Sequence, residues 1–554
     1  MPACGSFNFG GGPARVRMVM AHEEDGEPLR AGATYRGIAE QRLTAAEERF
    51  ERARRTTGLF LGPSVLLLVF LLPLGLSPPQ HRLAAILGFV ITYWITEAIP
   101  IPVTGLIGVA LCAFLSVGSA RDVMGGFGDP AVFLYMGAFI IAGAMLKHGL
   151  ARRFAFRVLS LRLVGSSTTR IVIAFGLITC ALSAFISNTA TVAMLLPTAL
   201  GILGTVTALI RKGGGDVDLR HALDADGRIE PSRLRIGSAL MLMLAYGAGV
   251  GGLLTPVGTP PNIIGRRLIE QATQMRIGFL EWVLMAAPIC LAMFLALALI
   301  LLRLNRPEVS RLPGIEEYVA RERQKLGPLS AAERNTLAAF LVAVVLWLTP
   351  GVAGMIAGVD SPLYAAVTER LDEGVVAVTA AGLLFMLPTD WSRREFTMTW
   401  GDAAEIDWGT IVFFGTGIVF GGLMRRTGLA EQIGHSTAEA LGLASLVPIT
   451  MFAIVIAILI SETTSNTAAA SVVIPIVLPV AVAAGVNPLI PGMAAVFGAS
   501  FGFMLPVSTP QNALVYASGF VPITKMIRSG VFFDVIGALI ILLGIPLMVS
   551  LVLL

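Results

Sequence analysis

IVIAFGLITCALSAFISNTATVAMLLPTALGILGTVTALI, residues 171–210, contains no Asp, Glu, Lys or Arg, yet its most polar run, Ser187-Asn188-Thr189, falls near the middle. A helix that crosses a bilayer should be most apolar there, and about 20 residues suffice for one crossing. The stretch therefore reads as two half-helices, a re-entrant hairpin with a polar tip. A second stretch of this kind covers 445–485, where SETTSNTA (461–468) answers SAFISNTA (183–190) at an offset of 278.

Moving outward, the chain repeats itself. DPAVFLYMGAFIIAGAMLKHGLA (129–151) aligns with WGTIVFFGTGIVFGGLMRRTGLA (408–430) at an offset of 279, and GTPPN (258–262) is echoed by STPQN (508–512). From the Ser of SNT to the Thr of the Thr-Pro motif is 72 residues in one half and 44 in the other, and the charged insert at 211–235 nearly accounts for the difference. Three landmarks in one order mark an internal repeat.

The composition supplies the solvent. Of 554 residues 55% are hydrophobic and 14% charged, with a mean hydropathy of +0.79, and 40 of the 76 charged side chains crowd into 1–58, 211–235 and 303–334. Too few charges remain to cover a soluble globule of this size, so lipid must face most of the chain. Besides the two hairpins, apolar runs at roughly 59–76, 83–99, 101–118, 130–147, 236–265, 278–302, 334–350, 373–389, 408–424, 490–520 and 530–554 give eleven spans. Assigning loops on that basis places 32 Lys and Arg on one face and eight on the other, which puts the N-terminus in the cytoplasm and the C-terminus outside. The first hairpin then enters from the cytoplasm and the second from outside. Inverted repeats with broken helices are the architecture of secondary transporters, whose substrate sites lie near the midplane.

Other classes fit poorly. A formal net charge of +4, spread over loops, does not describe a nucleic-acid binder. Cys112, Cys180 and Cys290 lie in apolar runs without a CxxC pair and read as small core residues, while the five histidines fall in polar segments or at span ends, leaving an intramembrane metalloenzyme without evident ligands. No secretory signal precedes the first long apolar run near Leu59. LTAAEERFERARR (43–55) fits a surface amphipathic helix or, the reading preferred here, a solvated one.

The tips carry the chemistry. A Ser-Asn-Thr run at the start of a half-helix offers hydroxyls, an amide and free N–H groups to an anion, and the same oxygens with nearby carbonyls suit a hard cation such as sodium. The bland alternative, Ser and Thr merely capping a helix, weakens when the run occurs twice, with Ser183 and Ser461 each four residues before the tip Ser. TPVGTPPN (255–262) and PVSTPQN (506–512) should unwind and expose carbonyls, since Pro removes a donor and clashes with the preceding turn; a plain proline kink is the competing reading. Neither hairpin nor break holds a Lys or Arg, and Glu462 is their single charge. A multiply charged anion would need accompanying cations there. Glu462 reads either as a protonatable coupling group or, preferred, as an acceptor for nearby backbone donors.

TEAIPIPVTGL (96–106), SNTAT (187–191), GTPPN (258–262), ETTSNTAA (462–469) and STPQN (508–512) resemble the divalent anion:sodium symporter family, which includes the sodium-coupled di- and tricarboxylate carriers, over about residues 59–554. The resemblance implies an all-α polytopic membrane protein, an inverted-repeat elevator-type transporter with about eleven transmembrane helices and two re-entrant hairpins, working as a homodimer. Sodium ions would be co-transported, the first held by Ser183, Ser187, Asn188 and the Gly258 carbonyl, the second by Ser461, Thr464, Asn466 and the Ser508 carbonyl. Substrate carboxylates would meet Asn188, Thr189, Thr259 and Pro260 from one repeat and Asn466, Thr467, Thr509 and Pro510 from the other. Ser508 stands where related sequences often carry a smaller residue, and Gln511 replaces the second Pro of the first repeat.

The expected organisation is a cytoplasmic polar leader (1–58), scaffold helices of the first repeat with a cytoplasmic amphipathic segment (59–170), and a transport segment (171–302) that carries the insert. A cytoplasmic linker (303–333), scaffold helices of the second repeat (334–444) and a second transport segment (445–554) follow. The expected activity is sodium-driven import of a C4-dicarboxylate such as succinate, malate or fumarate across the cell membrane, and not an enzymatic one. A sodium-independent exchanger or a sulfate or citrate carrier of the same family is the nearest rival; a channel and a membrane-embedded enzyme are more distant ones.

Overall fold

The computed structural model describes residues 45–211 and 230–553. The leader up to residue 44 and most of the charged insert lie outside the described residues, and with them the readings made of their roles.

The first apolar run does not begin a fresh helix. It continues one that starts upstream, α1 (Ala45–Leu71), so the charged 45–55 segment forms its first turns. After it come α2 (Pro78–Thr96) and α3 (Ile101–Phe114), each started by proline at its first turn, where the missing N–H costs nothing. A short α4 (Ala120–Gly125) leads to α5 (Pro130–Lys147), whose first turn is capped by Asp129 accepting from the Ala131 N–H. Gly149, at φ 69°, then turns the chain into the amphipathic α6 (Leu150–Leu159). The same device recurs downstream. Asp407 caps α17 (Trp408–Thr427) and Gly428, at φ 75°, turns it into α18 (Leu429–Leu441), because only glycine adopts that left-handed backbone without a steric penalty.

Both expected hairpin regions are broken at the expected place. The first is α7 (Thr168–Ser183) followed by α8 (Asn188–Arg211). Between it and the second lie α9 (Arg235–Gly252), α10 (Pro260–Thr273), α11 (Phe279–Leu304), α12 (Ile315–Lys325), α13 (Ala331–Ala357), α14 (Pro362–Arg370), α15 (Glu373–Met386) and α16 (Trp400–Ala404). The second is α19 (Leu446–Thr463) with α20 (Asn466–Ala483), and after it come α21 (Leu489–Ala499), α22 (Pro510–Ala517) and α23 (Ile523–Val552). A two-stranded hairpin, Pro388–Asp390 with Glu395–Phe396, is a small departure from the all-helical expectation.

Among the described residues nine helices are long and apolar enough to cross a membrane. Their outer faces carry leucines at helical spacing, Leu291, Leu295 and Leu299 on α11 and Leu539, Leu543, Leu547 and Leu551 on α23, all more than half exposed. Such stripes belong against acyl chains. At the other extreme, α9 is buried from Ile236 to Gly252 and α21 along its whole length. Around these two, α10 packs on α20 and α21 while α22 packs on α8 and α9. Each half-helix after a break therefore lies against the helix that starts at the other Ser-Asn-Thr run.

Away from the spans, Lys147 Nζ at the end of α5 donates to Asp402 Oδ2 at 2.7 Å, and Thr399 donates to the same oxygen. Burial alone would raise the Asp402 carboxyl, but these hydrogen bonds outweigh it and hold it down at about 2. A folded value below the unfolded one contributes stability that is complete above the ordinary Asp range and is lost as pH falls through about 2. With both side chains partly open to solvent, about 1 kcal/mol is at stake after screening. Thermal unfolding of detergent-purified protein between pH 5 and 2.5 should show this loss in wild type and a flatter profile in Asp402→Asn.

Candidate functional site

The first Ser-Asn-Thr run starts α8. Ser187 Oγ accepts from the Ala190 N–H, a helix cap, while Asn188, next in line, turns its side chain back toward α7, where Ser183 Oγ donates to Asn188 Oδ1 at 2.7 Å. The second run does the same. Ser465 Oγ accepts from the Ala468 N–H, and Ser461 Oγ lies 2.8 Å from Asn466 Oδ1 and 2.9 Å from the Ala499 carbonyl. Ser183 and Ser461 are fully buried and both asparagines nearly so, so each tip gathers a hydroxyl and an amide oxygen out of water.

The Thr-Pro breaks close the cradles. Thr259 and Thr509 are both extended, at φ −148° and −145°, and each precedes a proline that opens the next helix. A side chain at Gly258 would meet the carbonyl oxygens of Gly252 at 2.5 Å and Ala184 at 3.0 Å, so these carbonyls crowd the bare backbone of the first break. In the second break that position is Ser508, whose Oγ donates toward the Glu462 carbonyl at 3.0 Å and Glu462 Oε2 at 2.7 Å. The first repeat reaches the matching carbonyl from another residue, with Thr255 Oγ1 donating to Ala184 O.

Of the remaining nominated residues, Thr464 is buried and spends its hydroxyl hydrogen on Ile460 O at 2.7 Å, leaving its lone pairs for a cation. Thr189, Thr467 and Pro260 are half-buried and Pro510 is exposed. The first cradle thus offers Ser183 Oγ, Asn188 Oδ1 and crowded carbonyls, and the second Ser461 Oγ, Asn466 Oδ1 and Thr464. All are neutral oxygens of the kind a hard monovalent cation takes.

Two residues escaped the sequence reading. Asn262 Nδ2 donates to the carbonyls of Gly252 and Thr255, both at 2.8 Å, and Asn512 Nδ2 donates to those of Gly502 at 2.7 Å and Leu505 at 3.1 Å. Each asparagine staples an unwound segment onto the helix that follows it, satisfying carbonyls that would otherwise be buried without a partner. The signal was the final Asn shared by GTPPN and STPQN. Glu462 Oε1 accepts from the N–H groups of Phe503 and Met504, where α21 has ended.

Nearly two turns into α10, Arg266 is buried but committed, with two hydrogen bonds to Glu373 on α15 at 2.6 and 3.0 Å and a third to Glu270. Its neighbour Arg267 pairs with Asp129 at the start of α5. These arginines tie α10 to α5 and α15 and carry no spare charge for an anion.

Residues 53–554 match the family model described as the sodium:sulfate symporter transmembrane region. A sodium-dependent dicarboxylate transporter, SdcS, of Staphylococcus saprophyticus is 30% identical over 491 residues, 88% of this chain and 90% of its own length. Its counterpart in Staphylococcus aureus is 30% identical over 501 residues, 89% and 90% respectively. Among solved structures, MtrF of Neisseria gonorrhoeae, described within a class of antimetabolite efflux pumps, aligns with a TM-score of 0.48 at 16% identity, covering 86% of this chain and 97% of that one. The YdaH transporter of Alcanivorax borkumensis aligns with a TM-score of 0.48 at 14% identity, covering 86% and 98%.

Proposed function

Since the chain belongs to the sodium:sulfate symporter transmembrane family, and is a membrane transporter and not an enzyme, we propose that it imports C4-dicarboxylates by sodium symport through an elevator movement. The observation that carries this reading is the matched pair of buried oxygen cradles, Ser183 with Asn188 and Ser461 with Asn466, in hairpins and breaks that hold no Lys or Arg. A dianion docked there needs positive charge from elsewhere, and bound sodium supplies it. The dicarboxylate transporters named above, similar over most of their length, support the substrate class.

In this mechanism sodium fills the first cradle at Ser183, Ser187, Asn188 and the Gly258 carbonyl, and the second at Ser461, Thr464, Asn466 and the Ser508 carbonyl. Filling them orders the tips. One substrate carboxylate then meets Asn188, Thr189, Thr259 and Pro260 and the other Asn466, Thr467, Thr509 and Pro510, so a short diacid bridges the repeats. The transport segments, 171–302 and 445–554, carry the neutralised cargo past the scaffold helices of 59–170 and 334–444 in a homodimer, with the N-terminus cytoplasmic, the C-terminus outside and the repeats inverted. Gating elevator movement on neutralisation prevents uncoupled leak, because a half-loaded site keeps a buried charge.

The test is uptake of labelled succinate by full-length protein in liposomes. An inward sodium gradient should drive uptake at least about tenfold faster than an equal potassium gradient, a difference of about 1.4 kcal/mol. Uptake that ignores sodium and requires internal unlabelled succinate would replace this reading with exchange. Unlabelled sulfate that competes as well as malate would move the substrate to the one in the family's description.

A further inference from the structure

On α23 a second carboxylate stands beside Glu462. Asp534 is 5% exposed, and neither of its oxygens receives a hydrogen bond. Its carboxyl lies within hydrogen-bonding reach of Glu462, which is itself only 2% exposed. The backbone explains how two acids come so close. Gly530, one turn earlier on α23, has no side chain, and a Cβ there would sit 2.7 Å from the Met504 nitrogen and 2.6 Å from the Phe503 oxygen. That Met504 N–H donates to Glu462 Oε1 at 2.8 Å. The helix therefore presses directly on the segment that Glu462 caps, and Asp534, four residues on, shares the face of Gly530.

The donors nearby are already allocated. Glu462 takes the N–H groups of Phe503 and Met504 and the Ser508 hydroxyl. Tyr246, the other titratable group facing the pair, from α9, sends its single hydroxyl hydrogen toward the carbonyls of Phe503 and Met526. On α23 itself Lys525 is bound to Ser232 O and Ser238 Oγ. Glu462 is thus a satisfied carboxylate with an unsatisfied one next to it. Two negative charges side by side in a low dielectric repel strongly unless something positive is shared between them.

We propose that Asp534 and Glu462 form a further monovalent-cation site, separate from the two Ser-Asn cradles and filled by sodium during the transport cycle. The orphaned Asp534 oxygens supply the vacant ligands, and Glu462 Oε2 links the site through Ser508 to the second cradle. The site has no twin, because Ala184 occupies the place of Glu462 in the first repeat. It therefore breaks the symmetry of coupling, adding one positive charge on the side of the second tip only.

The proposal deepens the symport reading and rests on it. Its test counts cations per succinate in liposomes from the limiting accumulation ratio at zero voltage, for wild type, Asp534→Asn and Asp534→Glu. A tenfold gradient of one coupled monovalent cation stores about 1.4 kcal/mol, so Asp534→Asn should accumulate tenfold less succinate against a tenfold gradient of the cation that fills the site, and Asp534→Glu should match wild type. The sodium count therefore falls by one in Asp534→Asn. An equal sodium count in wild type and Asp534→Asn would overturn the site.

Should Asp534→Asn not transport, or wild type carry no dicarboxylate, thermal unfolding of the purified full chain decides. Wild type should gain stability from sodium over choline by an increment that Asp534→Asn lacks. Identical responses would overturn the site while leaving the transport reading to its own assay.

Discussion

Asn188→Ala and Asn466→Ala each abolish sodium-driven succinate uptake, with rates falling at least about 100-fold, while the purified variants remain folded and monodisperse. The size follows from what the amide does. Asn188 Oδ1 shares the buried space of the first tip with Ser183 Oγ at 2.7 Å, and Asn466 Oδ1 that of the second with Ser461 Oγ at 2.8 Å. Truncation to alanine would remove the proposed cation ligand; Ser183 Oγ then loses its acceptor, Ser461 Oγ keeps only Ala499 O, and Asn466 Nδ2 loses Ser500 O. A lost contact to a charged partner is worth about 1.5–3 kcal/mol, enough at its upper end to account for two decades. Both residues sit at the starts of α8 and α20, where the tip serines still cap the helix. Wild-type uptake by either variant would dissolve the site assignment.

The second large effect is at Gly258. Its Cβ would lie 2.5 Å from Gly252 O and 3.0 Å from Ala184 O, and backbone atoms do not swing aside as a flexible side-chain end does. Gly258→Ala should therefore displace the first break, abolishing uptake at saturating sodium and succinate. The contrast is Ser508→Ala, at the matching position of the second repeat. There a side chain is already accommodated, and only the hydrogen bonds to Glu462 are lost. Uptake should persist in Ser508→Ala with sodium half-saturation raised about tenfold, the effect of roughly one hydrogen bond to a charged group. Equal, mild effects at both positions would mean that the first break does not hold a cation through its backbone.

The two breaks look alike as strings, GTPPN and STPQN, yet they are built differently. In the first, crowded carbonyls leave room only for glycine, and Thr255 rather than the residue before Thr-Pro caps Ala184 O. In the second, Ser508 takes over that capping and Glu462 adds its carboxylate to hold Phe503 and Met504. Gln511, buried on α22, restores an N–H that Pro261 lacks on α10, so the second half-helix offers one more backbone donor at its start. The departures from strict repetition are where the chain distinguishes its two cradles.

Much of this was legible without coordinates because it is local. A bilayer sets span length, so forty uncharged residues with a polar centre could hardly be one helix. Caps are local too. Ser187, Ser465, Asp129 and Asp407 each accept from a backbone N–H two or three residues on, so α8, α20, α5 and α17 start where residue type alone places them. Tertiary packing decided what no period encodes. Asn262 and Asn512 reach back seven and ten residues to staple the breaks, Arg266 finds Glu373 across 107 positions, and Asp534 comes to rest against Glu462. Such partners meet only when helices distant in sequence press face to face. Burial then removes the water that would have served each group alone, which is why a sequence announces where polar atoms enter the membrane but not which of them must share a charge.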